Sequence, residues 1–351
     1  MLLQKTEIFK ISEDLTAADE EKLAFAADII RRGGLVVFPT ETVYGLGADA
    51  LDPDAARRIY AAKGRPQNNP LIVHLADVNE IDRYCDTVGI SSLAPLKALM
   101  PAPLTVILPA KSIIPPVITA GLPSVAVRVP RRTAARRLIE LAGVPIAAPS
   151  ANLSGKPSPT CARHVLEDMD GRADVILDGG DCEVGVESTI ITLCEEVPTL
   201  LRPGGVTYEE LCSMLCEVHM SHAVLESLKP GEKVLSPGMM YRHYAPERPV
   251  ELVKGDRARG IAYVNEMAAA KRSAVICYDE DAALFHADAV LCAGSERDNA
   301  AYAARLFTLL RDTDTLDVSY VYAFLPKDTS GISLAIYNRL LRAAGFHVTE
   351  F

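Results

Sequence analysis

The chain contains no tryptophan, and only 6% of its 351 residues are aromatic. It also lacks an excess of positive charge, because its formal net charge is -10 at pH 7. These two absences argue against a protein that coats nucleic acid with a generally basic surface. Any anion-binding site must instead be a local concentration of lysine and arginine.

Long apolar runs and secretion signals are missing as well. No run of apolar residues approaches the length of a membrane span, and the acidic N-terminal segment has no signal-peptide core with a cleavage site. Eight cysteines scattered over a long chain favour free thiols over a disulfide framework. We therefore expect a soluble cytoplasmic protein with no membrane partner.

Several motifs of known enzymes are also absent. Without a Walker A sequence or a G-x-G-x-x-G fingerprint, a P-loop ATPase and a dinucleotide site are unsupported, and no G-x-S-x-G or H-E-x-x-H occurs. The segment CSMLCEVHMSH groups Cys212, Cys216, His219 and His222. On one helix the first and last would lie about 15 Å apart, too far to share a zinc ion. We predict an amphipathic helix from about Tyr208 instead.

Apolar strand patterns alternate with helical patterns along the chain, which predicts an α/β fold. We expect a twisted open sheet with helices over residues 1–207 and a linker rich in proline and glycine over 208–249. A smaller, doubly wound Rossmann-like domain should follow over 250–351. Helices are predicted at 19–32, 53–64 and 133–143, and near 257–270, 298–311 and 331–344.

Five polar clusters lie at or beside the predicted strands of the first domain. Because ligands of open α/β sheets bind beyond the carboxyl ends of strands, we expect these clusters to share one cleft. They are residues 39–47, 63–74, 124–130, 148–160 and 186–205.

The segment KGRPQNNPLIVH, residues 63–74, holds Lys63 and Arg65 in a loop that two prolines stiffen. Lysine offers phosphate a point charge and arginine a planar fork. Arg128 interrupts the apolar run VAVRV, where it could hold a substrate carboxylate or pair with a structural acid; the residues leave both open. His74 at the end of PLIV is more typical of a hydrogen-bonded core residue than of a catalyst. The residues alone indicate an enzyme that handles phosphate, without fixing its reaction.

These clusters, in this order, resemble the YrdC-domain family of L-threonylcarbamoyladenylate synthases. The resemblance is carried by PTETVYGLG, the K-x-R of KGRPQNNPL, the S-x-N of PSANLSG, and STII and LRPG. The linker SPGMMYRHYAP resembles that of the long, two-domain form, except that Met240 stands where a basic residue is expected. The likeness covers about residues 20–248.

The resemblance implies a nucleotidyltransferase that forms threonylcarbamoyl-AMP and pyrophosphate from L-threonine, bicarbonate and ATP, with Mg²⁺. The product would serve N6-threonylcarbamoylation of tRNA adenosine 37. Contact with tRNA itself, or with the proteins that transfer the threonylcarbamoyl group, is left open. Lys63 and Arg65 would be catalytic by neutralising phosphate charge. ATP would contact Arg65, Asn69, Ser124, Ser150, Asn152, Ser158, Arg202, Tyr241 and His243, and threonine would contact Thr42, His74, Arg128, Ala148 and Ser188.

The same resemblance implies that the linker, with Tyr241, His243 and Tyr244, folds over the cleft as a lid. Two other functions compete with this reading. A non-enzymatic RNA-binding module could use the same basic cleft, although an acidic chain without tryptophan disfavours it. A carbamoyltransferase acting on another amine would differ in the size of the pocket around Thr42, His74 and Ala148.

Overall fold

A computed structural model describes residues 5–227, residue 232 and residues 243–351. The first domain carries eleven strands in one sheet. These are β1 (Glu7–Lys10), β2 (Val36–Phe38), β3 (Gly45–Asp49), β4 (Ile72–His74), β5 (Leu104–Pro109), β6 (Ser124–Arg128), β7 (Ile146–Ala147), β8 (Val175–Asp178), β9 (Thr189–Thr192), β10 (Thr199–Arg202) and β11 (His219–Met220). Its helices are α1 (Ala17–Arg31), α2 (Pro53–Lys63), α3 (Ile81–Tyr84), α4 (Leu93–Leu99), α5 (Pro116–Thr119), α6 (Thr133–Ala142), α7 (Ala162–Met169) and α8 (Tyr208–Leu215).

The ends of α1 and α2 follow from local chemistry. Thr16 and Asp19 form a reciprocal capping box at the start of α1. In α2 the carboxylate of Asp52 accepts a hydrogen bond from the backbone of Asp54, and Pro53 occupies the first turn. Gly64 ends α2 in the left-handed conformation, with φ of 62°. The helix therefore stops where the cationic loop begins.

The large sheet is mixed, with the strand order β1-β8-β2-β3-β7-β4-β6-β5-β9-β10-β11. β4 runs parallel to β6, whereas β7 is antiparallel to β4 and β3 is antiparallel to β2. β3 begins inside the polar cluster 39–47, for which the sequence predicted no strand. The close approach of β3 to its neighbours explains its glycines, because a Cβ on Gly47 would lie 2.7 Å from both Phe38 and Ile146.

The predicted amphipathic helix does begin at Tyr208, but it does not extend to His219 and His222. α8 ends at Leu215, and Cys216 takes a φ of 63°. His219 then lies on β11, which pairs with β10. No cluster of three or more potential metal ligands occurs among the residues that the structure describes.

The second domain is built from strands that alternate with helices. Its elements are β12 (Val250–Lys254), α9 (Arg257–Ala270), β13 (Ser273–Cys277), β14 (Ala289–Cys292), α10 (Asn299–Thr315), β15 (Tyr320–Phe324), α11 (Ser333–Ala343) and β16 (Val348–Glu350). The strands form an all-parallel sheet with the order β14-β13-β15-β12-β16. Helices α10 and α11 cover one face and α9 the other, so the predicted doubly wound domain is confirmed.

Helices α10 and α11 also pack against the first domain. Val43 and Val186 of the first domain share a buried apolar cluster with Leu306 and Ile336. The guanidinium of Arg311 donates to Asp168 at 2.6 Å across the same boundary. The two domains therefore share a continuous buried interface, which lies beside the site described below.

Residues 208–224, part of the predicted linker, belong structurally to the first domain. β11 extends its sheet, and Leu211, Val218 and Val224 enter its core. The first domain thus continues beyond residue 207, although the predicted division at 207 and 249 otherwise stays a prediction. Most of the rest of that linker, residues 228–231 and 233–242, lies outside the described residues. In the part of the chain that is described, no helix combines the length and apolar character that crossing a membrane requires.

Candidate active site

All five polar clusters contribute to one cleft in the first domain, as the sequence predicted. The strands brought together there are not all parallel, however, and Ser188 precedes its strand rather than following it. The mixed sheet therefore brings the amino end of one strand and the carboxyl ends of others to the same site. The predicted site residues that border the cleft are Arg65, His74, Arg128, Ala148, Ser150, Ser188, Arg202 and His243.

Arg128 is fixed in the wall of the cleft by a buried ion pair. Its Nη2 donates to Oε1 of Glu41 at 2.7 Å, and both side chains are almost completely buried. The other oxygen of Glu41 accepts from the backbone N–H of Arg131 at 3.0 Å. The structural pairing that the sequence left open is therefore present. It also leaves Nε of Arg128 without a hydrogen-bond partner among the described residues, so this donor remains for a ligand.

His74 lies beside Arg128 as a neutral imidazole. Burial, together with the charge of Arg128, lowers the pKa of His74 to about 3. Its Nδ1 lies 3.2 Å from the carbonyl oxygen of Ile72. Because a carbonyl only accepts, the proton must be on Nδ1, and Nε2 is then a hydrogen-bond acceptor. The site thus combines a fixed cation with a neutral acceptor.

Two more guanidinium groups border the cleft. Nη2 of Arg65 donates to the backbone oxygen of Pro70 at 3.1 Å, and burial lowers the pKa of Arg65 to about 10, still a cation at neutral pH. Arg202 donates from Nε to the carbonyl oxygen of Ser188 at 3.0 Å and from Nη2 to its hydroxyl at 3.2 Å. Backbone contacts therefore hold both cations in place before any ligand binds, which is the arrangement that anion recognition favours.

Lys63 lies behind the cleft wall rather than at its surface. Its Nζ donates to the carbonyl oxygens of Ser150 at 2.5 Å and Asn152 at 2.6 Å. Burial, followed by the nearby charge of Arg65, lowers the pKa of Lys63. Lys63 thus ties the end of α2 to the loop that carries Ser150. Its predicted role at the triphosphate stays a prediction, and the structure assigns it these backbone partners.

The other predicted residues support the cleft or lie apart from it. The hydroxyl of Thr42 is 2.9 Å from that of Thr40, and Oδ1 of Asn152 accepts from the hydroxyl of Ser150 at 2.5 Å. Ser124 begins β6 opposite Pro109 and does not border the cleft. Tyr241 lies outside the described residues, as does most of the predicted lid.

Glu187 is a cleft residue that the sequence did not reveal. Its Oε1 accepts from the hydroxyl of Ser158 at 2.5 Å, and its Oε2 from Nε of Arg339 at 2.8 Å. Burial by itself would raise the pKa of Glu187, but the charges of Arg339 and Arg202 and the hydroxyl of Ser158 hold it below its ordinary value. Only the position of Glu187 within the recognised VESTI segment pointed towards the site.

His243 and Tyr244 close one side of the cleft. Their rings lie 5.1 Å apart, and the guanidinium of Arg339 lies 5.7 Å from the Tyr244 ring. Burial and the charge of Arg65 lower the pKa of His243 to about 4. These two residues of the predicted lid therefore lie against the first domain and present two aromatic rings to the site.

Buried polar atoms without partners gather here. Among the described residues, Nε of Arg65, Nε of Arg128, Oδ1 of Asn69 and Nδ1 of His243 have no hydrogen-bond partner. An unsatisfied buried donor or acceptor costs about 1–3 kcal/mol. Such a concentration is typical of a site whose partner is a polar ligand. The arrangement can therefore bind an anion and a polar small molecule side by side.

Among the described residues, those at the cleft do not form a protein site for Mg²⁺. Glu41 is engaged by Arg128 and Arg131, and Glu187 by Ser158 and Arg339. Neither carboxylate is left as a dedicated metal ligand. A magnesium ion would have to be held chiefly by the phosphates of a nucleotide, as is common for this ion.

Comparison with known proteins identifies the family of the chain. Residues 28–204 match the sequence family described as "Telomere recombination", the Sua5/YciO/YrdC family, and residues 206–345 match "Threonylcarbamoyl-AMP synthase, C-terminal domain". The chain is 42% identical to the threonylcarbamoyl-AMP synthase of Bacillus subtilis, over 96% of this chain and 97% of that protein. It is 43% identical to the enzyme of that name from Pyrococcus abyssi, over 95% and 96%.

The solved structures give the same result. The crystal structure of P. abyssi Sua5 complexed with L-threonine superposes with a TM-score of 0.91 at 41% identity, covering 99% of this chain and 100% of that chain. A relative from Mycobacterium tuberculosis is 31% identical over 58% of this chain and 96% of its own length. The chain belongs to the threonylcarbamoyl-AMP synthase family, in its two-domain Sua5 form.

Proposed function

We propose that this enzyme joins L-threonine, bicarbonate and ATP into threonylcarbamoyl-AMP and pyrophosphate. The observation that carries the proposal is the meeting of two kinds of subsite in one cleft. Arg128 and His74 offer a fixed cation beside a neutral acceptor, and Arg65 and Arg202 offer two further preorganised cations. The first pair suits a small hydroxylated amino acid, and the second suits phosphate.

Threonine would bind at the pair formed by Arg128 and His74. Its carboxylate would accept from the unpaired Nε of Arg128, and its hydroxyl would donate to Nε2 of His74. Ala148 borders the same space with only a methyl group, which leaves room for a small side chain. The threonine complex of the related P. abyssi protein supports this choice of amino acid.

The nucleotide would bind along the side of the cleft formed by Arg65, Arg202 and Ser150. Arg65 and Arg202 would neutralise the triphosphate, and their backbone hydrogen bonds reduce the reorganisation that binding requires. Nδ1 of His243 would supply a further polar contact. Mg²⁺ would arrive with the triphosphate and offset part of its charge.

The chemistry requires alignment more than covalent catalysis. The threonine amine condenses with bicarbonate to a carbamate and releases water, and a carbamate oxygen then attacks the α-phosphorus in line. Pyrophosphate departs as the new mixed anhydride forms. Arg128 would fix the amino acid, and Arg65 and Arg202 would stabilise the negative charge on the phosphates. The product would be the donor for threonylcarbamoylation of adenosine 37 in tRNA, through contact with tRNA or with the transferring proteins.

Mass spectrometry of the reaction mixture tests this proposal. The enzyme is incubated with ATP and bicarbonate and with threonine, serine, valine or allothreonine in parallel. Threonine should give the adenylate and stoichiometric pyrophosphate, and omission of bicarbonate should abolish both. Valine, which matches threonine in shape but lacks the hydroxyl, should give far less product because Nε2 of His74 is left unpaired. A carbamoylated amine without any adenylate would instead identify a carbamoyltransferase.

A further inference from the structure

The second domain has a cavity of its own, of about 590 Å³, and it shares no lining residue with the cleft described above. Its size is within the range of small-molecule sites. Residues that follow four of the five strands border it: Gly255 after β12, Tyr278 after β13, Glu296 after β14 and Leu325 after β15. The cavity therefore lies at the carboxyl edge of the parallel sheet.

This position is the topological switch point of the sheet. β12 and β15 are neighbours, but the chain leaves β12 for α9 on one face and leaves β15 for α11 on the other. The loops after the two strands therefore separate and open a crevice between them. In doubly wound sheets, ligands bind in this crevice. The geometry thus points to a ligand site that the synthesis of threonylcarbamoyl-AMP does not use.

A nucleotide phosphate, the common occupant of such a crevice, does not suit this one. The turn between β12 and α9 consists of Gly255 and Asp256. The Asp256 carboxylate accepts from the backbone N–H of Arg259 at 2.9 Å and so occupies the N-terminus of α9. A phosphate would need that same position, and it would meet a fixed negative charge there.

The charge around the cavity favours a cation. Each basic residue at the rim already has an acidic partner: Lys254 pairs with Glu350 at 3.2 Å, and Lys327 with Glu296 at 2.7 Å. Arg257 pairs with both Asp281 and Glu296. Asp256 and Asp328 remain without an ion pair to any described residue. Five carboxylates against three cations leave an excess of two negative charges.

The walls add apolar and aromatic surface to this negative rim. Phe324 and Leu341 line the cavity, as do the rings of Tyr337 and Phe346. Aromatic faces attract cations, and the apolar side chains can cover a hydrocarbon body. We propose that this cleft binds a small organic cation, an amine or guanidinium compound with a short carbon chain. Its charged end would lie near Asp328 and its chain against Phe324.

Isothermal titration calorimetry with the full chain tests this proposal, with spermidine, agmatine and putrescine as cationic probes and AMP as an anionic probe. At least one cation should bind to a single saturable site. Asp328→Asn should weaken that binding by about tenfold, the effect of one lost charge contact. Asp328 is exposed and accepts from the backbone of Ser330, so its amide replacement preserves the turn.

Asp86→Asn is the matched control, because Asp86 is also exposed and accepts from a backbone N–H two residues on, that of Val88. It lies in the first domain and should leave the affinity unchanged. The proposal is overturned if no cationic probe binds, or if both variants weaken binding equally. It is likewise overturned if AMP occupies the site and Asp328→Asn tightens its binding. The titration measures binding alone. Its result can therefore be interpreted even if the proposed synthase activity is not found.

Discussion

Arg339, in a helix of the second domain, donates from Nε to the carboxylate of Glu187 at 2.8 Å, in the wall of the first domain's cleft. The same guanidinium donates to the backbone oxygen of Pro203 at 2.8 Å, and its side chain is fully buried. Glu187 in turn accepts from Ser158. The second domain therefore fixes a part of the active-site cleft that the first domain does not fix alone.

Loss of Arg339 should destabilise both the interface and the cleft. Arg339→Met leaves Glu187 buried with its main cationic partner removed, which should lower the free energy of unfolding by about 3–5 kcal/mol. The double variant Arg339→Met/Glu187→Gln should recover much of this loss, because it no longer leaves a buried carboxylate without Arg339. Urea denaturation of the three proteins measures the difference. Equal stabilities for the single and double variants would show that the unpaired Glu187 carboxylate is not the source of the loss.

The proposed threonine site should depend on Arg128. A Glu41→Gln/Arg128→Met double variant removes the cation without leaving Glu41 as an unpaired buried carboxylate. We expect the affinity for L-threonine to fall by roughly 10- to 100-fold, the loss of one charge-assisted hydrogen bond. Calorimetric titration with threonine measures it. Arg131→Ala is the control, because this arginine pairs with Glu183 at the exposed surface, and undiminished binding by the double variant would exclude Arg128 from the site.

Replacement of Lys63 and replacement of Arg65 should have different effects on ATP binding and on stability. Arg65→Ala should weaken ATP binding while leaving the fold intact, because Arg65 borders the cleft. Lys63→Ala removes two hydrogen bonds to the backbone of Ser150 and Asn152, so it should also lower the unfolding free energy, by about 1–3 kcal/mol. Titration with a non-hydrolysable ATP analogue, together with thermal unfolding, distinguishes them. An unchanged melting temperature together with weakened binding of the analogue by Lys63→Ala would contradict this structural role and favour the predicted role as a direct phosphate ligand.

Stability should decrease as the pH falls below about 6.5. Burial lowers the pKa of both His74 and His164 to about 3, whereas an unfolded histidine titrates near 6.5. Between those values the unfolded chain binds more protons than the folded one, so acid favours unfolding, by roughly 2 kcal/mol per histidine at pH 5. The contribution is complete above pH 6.5.

Denaturation at pH 7 and pH 5 measures this slope. Nδ1 of His164 accepts from the backbone N–H of Thr160 at 3.3 Å, and an asparagine oxygen can take over that contact. His164→Asn should therefore reduce the loss of stability at pH 5 by about 2 kcal/mol. His286→Asn, a change at an exposed position, should not. A pH dependence that His164→Asn leaves unchanged would show that these buried imidazoles are not its source.

Much of the fold could be predicted because its signals are local. Asp52, Pro53 and Gly64 mark the ends of α2 within the segment itself. The alternation of strands and helices likewise revealed the parallel second sheet. The end of α8 could not be predicted, since it depends on the left-handed conformation of Cys216 and on pairing of β11 with β10. β3 was missed because its two glycines, required by contact with Phe38, are typical of loops.

For the site, too, the sequence predicted what local motifs determine and missed what contacts between distant segments determine. The motifs revealed Arg65, His74, Arg128 and Arg202, which the structure brings to one cleft. Their partners were not evident, because Glu41 lies 87 residues from Arg128. Glu187 and Arg339 are separated by 152 residues and lie in different domains. A sequence shows which residues could bind a ligand. Which acid pairs with which arginine depends on how the whole chain packs.

A crystal structure of the protein with L-threonine and a non-hydrolysable ATP analogue tests the central claim most directly. We predict the threonine carboxylate at Nε of Arg128, its hydroxyl at His74, and the nucleotide phosphates at Arg65 and Arg202. Nucleotide bound elsewhere, or this cleft empty at saturating concentrations of both ligands, would contradict the account.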